Sequence, residues 1–380
     1  MRPSVYLDHN ATTPLRTQAA DAMREAMGSF GNPSSVHRHG RLARKLVEDA
    51  REQVARLVGA DPANVIFTGS GTEANALALR GAGRDSVLVS AVEHVSVLGA
   101  VDGARIIPVD ADGVVRLDAL DEMLASSDRP ALVSVMLANN ETGVLQPIGE
   151  VAALARRHDT LVHCDAVQAA GKIALDVASL GVHLLSLSAH KLGGPAGVGA
   201  LVVVPSVPLS PLLRGGGQER GRRAGSENVL GIVGFGAAAA AAAECGDSAR
   251  LAALRDGLER RLEAICPSAR LFGADAPRLP NTSCIGMPGV SGETQVIAFD
   301  LAAVSVSAGA ACSSGKVSPS HVLKAMGVGE NIAAAAVRVS MGGTTEPADV
   351  GRFVEVWSGI YGRARARRAA WAPAAVAAAH

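Results

Sequence analysis

Val182-His183-Leu184-Leu185-Ser186-Leu187-Ser188-Ala189-His190-Lys191-Leu192-Gly193-Gly194-Pro195 is the stretch on which the reading of this chain turns. An apolar run gives way to Ser-x-His-Lys and then to Gly-Gly-Pro. That pattern is a strand ending in one amine, followed by backbone free to approach a ligand closely. A lysine so placed can lose its proton and form a Schiff base with a carbonyl cofactor. Taken alone, the same residues also describe a solvated lysine ahead of a turn.

Working outward, further apolar strands are expected at Val65–Thr68, Ser86–Ser90, Arg105–Val109, Leu132–Leu137, Leu161–Cys164 and Gly199–Val204. Helices are expected at Gln18–Met27, from about Ser35 to Val58, at Thr72–Leu79, Leu117–Ala125 and Ile148–His158. Continuous apolar strands alternating with helices predict an α/β fold with a largely parallel sheet covered on both faces. Binding residues then belong at strand ends. Beyond residue 245 the segments shorten, with a helix at Leu251–Ile265 and strands near Thr282–Met287, Val304–Ser307 and Val337–Met341. The expectation is a large mostly parallel-sheet domain over 16–248 and a smaller α+β domain made of 1–15 and 249–380. The alanine- and arginine-rich tail from Arg363 is expected to fray.

Bulk composition narrows the function. Lys+Arg and Asp+Glu both number 36 in 380 residues, so charge gives no reason to expect nucleic acid or an anionic membrane as partner. Aromatics at 3% argue further against base stacking. Cys164, Cys245, Cys266, Cys284 and Cys312 are scattered with no C-x-x-C, which speaks against a disulfide framework and against a metal site. A reducing cytoplasm is the default. No signal peptide is visible, and the apolar run Val229–Ala243 is too short for a membrane span and reads as a buried helix.

Other motifs surround the lysine. Gly69-Ser70-Gly71-Thr72-Glu73-Ala74 joins a strand to a helix, an anion site suited to phosphate. It also fits G-x-G-x-x-A with Glu93 downstream, a dinucleotide fingerprint that would leave Lys191 without a task. Glu93-His94 offers a histidine that could lie on a ring and move protons, or simply a loop histidine. Asn139-Asn140-Glu141-Thr142-Gly143 places two amides at a strand exit, or a plain turn. His163-Cys164-Asp165-Ala166-Val167-Gln168 closes a strand with a carboxylate, either a partner for a protonated pyridine or a helix cap. Arg214 to Ser226 is a mobile basic loop, read as reaching a phosphate rather than RNA. Cys312 sits among small residues in Ala311-Cys312-Ser313-Ser314-Gly315, where the backbone can move. Arg338, within Ala336–Ser340, could grip a carboxylate or lie on the surface.

In their order, these motifs, with Leu7-Asp8-His9-Asn10-Ala11-Thr12-Thr13, Phe30-Gly31-Asn32-Pro33-Ser34-Ser35 and Ser320-His321-Val322-Leu323, resemble the cysteine desulfurases of the NifS/IscS type, which are class V, fold-type I enzymes dependent on pyridoxal 5'-phosphate (PLP). The resemblance covers about residues 4–360. It implies that Lys191 binds PLP covalently and that His94 stacks on the ring. It assigns Asp165 to the pyridine nitrogen and Gln168 to the ring hydroxyl. Gly71, Thr72, Ser188 and His190 would hold the phosphate, and Ser226 would reach the phosphate of a partner subunit in a homodimer. Asn140 and Arg338, with Asn32, would bind the substrate carboxylate. Cys312 would take sulfur from L-cysteine as a persulfide and pass it to an acceptor such as an iron–sulfur scaffold. Selenocysteine lysis or transamination, which Cys312 decides against, and a non-catalytic sulfur-carrier module, which persulfide loading equal with and without cofactor would favour, are the alternatives. Ser226 departs from the usual threonine, and Gly343 lies in a loop that often carries a basic residue.

Overall fold

A computed structural model describes residues 4–127, 130–244, 246–308, 312–313, 316–317 and 320–377, with side chains of 312–317 and beyond 367 left aside. Seven strands form the main sheet: β1 Val65–Thr68, β2 Ser86–Ser90, β3 Arg105–Ile107, β4 Ala131–Ser134, β5 Leu161–Asp165, β6 Leu184–Ser188 and β7 Gly199–Val203. Their spatial order is β1-β7-β6-β5-β4-β2-β3. Strands β2 to β6 pair in parallel, whereas β7 is antiparallel to both β1 and β6. The strands β1, β4, β5, β6 and β7 are buried at every residue, because helices cover both faces. Val229–Ala243, read as a buried helix, is one and packs on Thr17–Ala26 and Arg38–Leu57. Among the described residues no single helix is long and apolar enough to cross a membrane.

Register brings the strand ends together. Ser188 pairs with Gly199, and Gly199 with Thr68, while Asp165 pairs with Ser186. A Cβ on Gly199 would sit 2.5 Å from the Ser70 carbonyl carbon, so glycine alone lets the loop after β1 close over this edge. His163 bridges three strands, bonding Ser134 Oγ at 2.8 Å and Ser186 Oγ at 2.9 Å.

A second, antiparallel sheet runs in the order Ser307–Ala308, Ala336–Ser340, Thr282–Gly286, Arg270–Leu271. Val5–Tyr6 pairs in parallel with Val304–Ser305, and Asp8 bridges to Ser340. The apolar cluster beneath contains Leu7, Val339, Trp357 and the stacked rings of Phe299 and Phe353, 4.6 Å apart. The N-terminal arm is thus stitched to segments some 300 residues away.

Three local expectations need correction. The second helix starts at Arg38 and is capped by His37, whose Nδ1 accepts from Gly40 N–H at 3.2 Å, rather than by Ser35. The tail does not fray at Arg363, since the last helix runs Pro347–Ala377. The basic loop, expected to be mobile, has anchors at Glu219 and Arg223. Glu219 accepts from both Arg51 nitrogens at 2.7 and 2.9 Å and from Phe67 N–H at 2.9 Å, and Arg223 donates to Glu73 at 2.8 Å. Cys164, Cys266 and Cys284 are buried free thiols; Cys245 lies outside the described residues.

Candidate active site

At the converging strand ends lies a cavity of about 770 Å³. Gly71, Thr72, Ser188 and His190 line one part of it, and His94, Asp165, Gln168, Lys191, Asn140 and Arg338 the rest. Lys191 sits in a short 3-10 turn directly after β6. Its Nζ donates to the carbonyls of Asn10 at 2.6 Å and Ala11 at 2.9 Å. Burial, helped by the Arg338 charge, lowers the amine from 10.5 to about 8, against the opposing pull of Asp165 and Asp8.

Asp165 closes β5. Its Oδ1 accepts from Val167 N–H at 2.9 Å and its Oδ2 from Asn75 Nδ2 at 2.8 Å. Asn75 also donates to Ser96 Oγ at 2.9 Å, and Ser96 Oγ lies 2.7 Å from His94 Nδ1. Because His94 Nδ1 also accepts Ser96 N–H at 3.2 Å, the ring proton belongs on Nε2. Burial, with the Lys191 and His321 charges, pushes His94 below its usual range despite Asp165, and this favours the neutral imidazole. His190 is lowered to about 4, chiefly by burial and then by Lys191.

Helix Gly71–Gly81 begins at this cavity with Ser70 as its cap, accepting Glu73 N–H at 3.1 Å. Gly71 and Thr72 N–H groups find no acceptor among the described residues, which suits an anion. A Cβ at Gly71 would crowd Val167 Cγ2 at 3.0 Å and Ser188 Cβ at 3.2 Å. Arg338, in the middle of the second sheet, donates to Asp8 Oδ1 at 2.8 Å and to the Asn140 carbonyl at 3.0 Å. A lysine with its amine lowered to about 8, a carboxylate, an imidazole tied through Nδ1 and an anion cradle in one cavity fit the groups of PLP.

Three expected residues stand apart. Asn32 is exposed, and its Oδ1 accepts Ser34 N–H at 2.9 Å. Ser226 lines a separate pocket of about 90 Å³ beside Glu219 and Arg223. The Cys312 side chain lies outside the described residues; its backbone pairs with Val317 in a short hairpin. The dinucleotide alternative loses its acid, because Glu93 is fully buried and accepts from Ser90 Oγ at 2.8 Å and Met136 N–H at 2.7 Å.

Asn10, Asn75, Ser96, Glu141 and Lys172 were not singled out by the sequence reading as parts of the site. Asn75 had a local signal, being one helical turn past Gly71 on the face that meets Asp165. Glu141 is buried, accepts from Ser320 Oγ at 2.5 Å, and is raised to about 7 by burial.

The aminotransferase class-V family model matches residues 5–353. A cysteine desulfurase of Cereibacter sphaeroides is 45% identical over 377 residues, covering 95% of this chain and 97% of its own. An IscS-like cysteine desulfurase of Mycobacterium tuberculosis is 42% identical over 389 residues, covering 97% and 98%. Among solved structures, a NifS-like protein from Rickettsia africae superposes with a TM-score of 0.88 at 35% identity, covering 94% of this chain and 99% of that one. With the strand-end lysine, the carboxylate of β5 and the glycine-opened helix of the fold all present, the chain belongs to the aminotransferase class-V family.

Proposed function

We propose that this protein is a PLP-dependent cysteine desulfurase that converts L-cysteine to L-alanine and leaves a persulfide on Cys312. The observation that carries the reading is the convergence of Lys191, Asp165, His94, Arg338 and the Gly71–Thr72 helix end on one cavity. When bound, PLP supplies an electron sink for the carbon that loses its proton. Lys191, held near 8, binds the cofactor and afterwards moves the substrate α-proton through Nζ. Asp165, fixed by Asn75 and Val167, would hold a proton on the ring nitrogen. His94, with Nδ1 tied to Ser96, would offer its Nε2–H to the cofactor. Gly71, Thr72, Ser188 and His190 would bind the phosphate.

Arg338 and Asn140 orient the substrate carboxylate, which must compete with Asp8 for the guanidinium. Asn32 lies outside this cavity, and a part for it in carboxylate binding rests on the family resemblance alone. The Cys312 thiolate attacks the substrate sulfur, the carbon–sulfur bond breaks, and the carbon takes up a proton. One C–S bond is exchanged for one S–S bond, so the step needs no outside oxidant or reductant. The persulfide sulfur then passes to an acceptor such as an iron–sulfur scaffold. Ser226 lies outside the Lys191 cavity, and by the family resemblance it would meet the partner's phosphate in a homodimer. The same reading assigns 16–248 to cofactor binding, gives 1–15 with 249–380 the cysteine segment, and places the enzyme in a reducing cytoplasm.

The test is direct. Purified protein should be yellow and release alanine from L-cysteine, and mass spectrometry should find one added sulfur on Cys312. Cys312→Ala should keep the colour and lose sulfur transfer. A colourless protein that still releases alanine, or a Cys312→Ala variant with undiminished sulfide release, would overturn the reading.

A further inference from the structure

We infer that Lys172 is a positioning residue that turns the Gln168 side-chain amide so that an N–H, not the carbonyl, faces the cavity of Lys191. The inference rests on the PLP reading, in which Gln168 meets the ring hydroxyl oxygen. Carbonyl and amino ends of a glutamine have almost the same shape, so only their partners decide which way it points. Lys172 Nζ lies 2.8 Å from Gln168 Oε1, and an amine there demands an acceptor. Gln168 Nε2 lies 2.9 Å from the Asn10 carbonyl, which demands a donor. The described residues give the second N–H of Gln168 no acceptor, and Gln168 lines the cavity wall.

Lys172 makes a second bond, 2.9 Å to Asn10 Oδ1, which orients the arm whose backbone carbonyl holds Lys191. It therefore steadies two amides at once. Burial, with the charges of Lys191 and Arg338, holds the Lys172 amine well below its ordinary range. A neutral amine still carries two N–H groups, matching the two carbonyl oxygens it meets. His9, itself lowered to about 4 first by burial and then by Lys172, also faces it. Lys172 and Lys191 share the wall of a further cavity of about 370 Å³, which Arg16 and Asp247 also line.

A donor on the ring oxygen draws electron density away from the Lys191–PLP linkage and makes its proton easier to lose. Turning Gln168 around removes the donor and offers a repelling carbonyl, so the linkage should hold its proton to higher pH. The experiment titrates the visible absorbance of PLP-loaded protein for wild type, Lys172→Met, Gln168→Leu and the double variant. Gln168→Leu should raise the midpoint by about half a pH unit or more, Lys172→Met by a smaller but measurable step because the Asn10 carbonyl still favours a donor, and the double should match Gln168→Leu alone. A wild-type midpoint in Lys172→Met, or an equal shift with and without Gln168, overturns the inference. Should Lys172→Met fail to fold, Lys172→Leu, which likewise carries no donor, enters the same cycle under the same criteria. A colourless wild type would instead bring down the cofactor reading, and this inference with it.

Discussion

The rate at which cofactor-free protein captures PLP should report the free-base fraction of Lys191. With its amine lowered from 10.5 to about 8, roughly one molecule in ten carries a neutral lysine at pH 7, against roughly one in three thousand for an ordinary lysine. The site thus gains about 300-fold in reactive amine at that pH. The capture rate should rise about tenfold per unit below pH 8 and level off above it. Burial is the larger cause and survives surface changes, whereas Arg338 is the second. Arg338→Met removes one cation and frees the Asp8 carboxylate that now pairs with it at 2.8 Å. Both changes favour the charged amine, so the plateau should move up by about half a unit or more. Stopped-flow absorbance in the visible, recorded from about pH 6 to about pH 10, measures it. A rate still climbing at the top of that range, or a plateau untouched by Arg338→Met, would refute the reasoning.

Glu219→Gln should cost about 2 kcal/mol in urea unfolding, because the Arg51 side chain, 5% exposed, would keep only the half-exposed Glu48 at 3.2 Å as a charged partner; a loss below about 1 kcal/mol contradicts that account. Gly71→Ala should weaken PLP binding about tenfold or more by dialysis, with the fold kept, since the new methyl presses on Val167 and Ser188. Asp165→Asn should still take up PLP but release alanine from L-cysteine at least about a hundredfold more slowly, as the ring nitrogen loses its charged partner. Ser96→Ala should leave His94 neutral at pH 7, because the Ser96 backbone N–H still caps Nδ1, and nitrogen-15 NMR of the ring reads this out.

Local residue order is enough to read the α/β architecture and many of the residues that line the cavity. Strand and helix periodicity depend on near neighbours, so apolar runs ending at Asp165 and Ser188 and a Gly-Ser-Gly-Thr helix start announce where strands stop and anions bind. Only the tertiary structure decided how those ends are wired. The Asn10 carbonyl that holds Lys191 comes from 181 residues away, and Arg338 meets Asp8 across 330. Lys172 looks like a surface lysine after a glycine until the fold sets it against Asn10 and Gln168. The Arg-rich loop reads as free and positive until Glu219 is found buried on Arg51. The physical reason is that burial and distance set the energy of a charge or an amide, and neither quantity is written in the order of neighbouring residues.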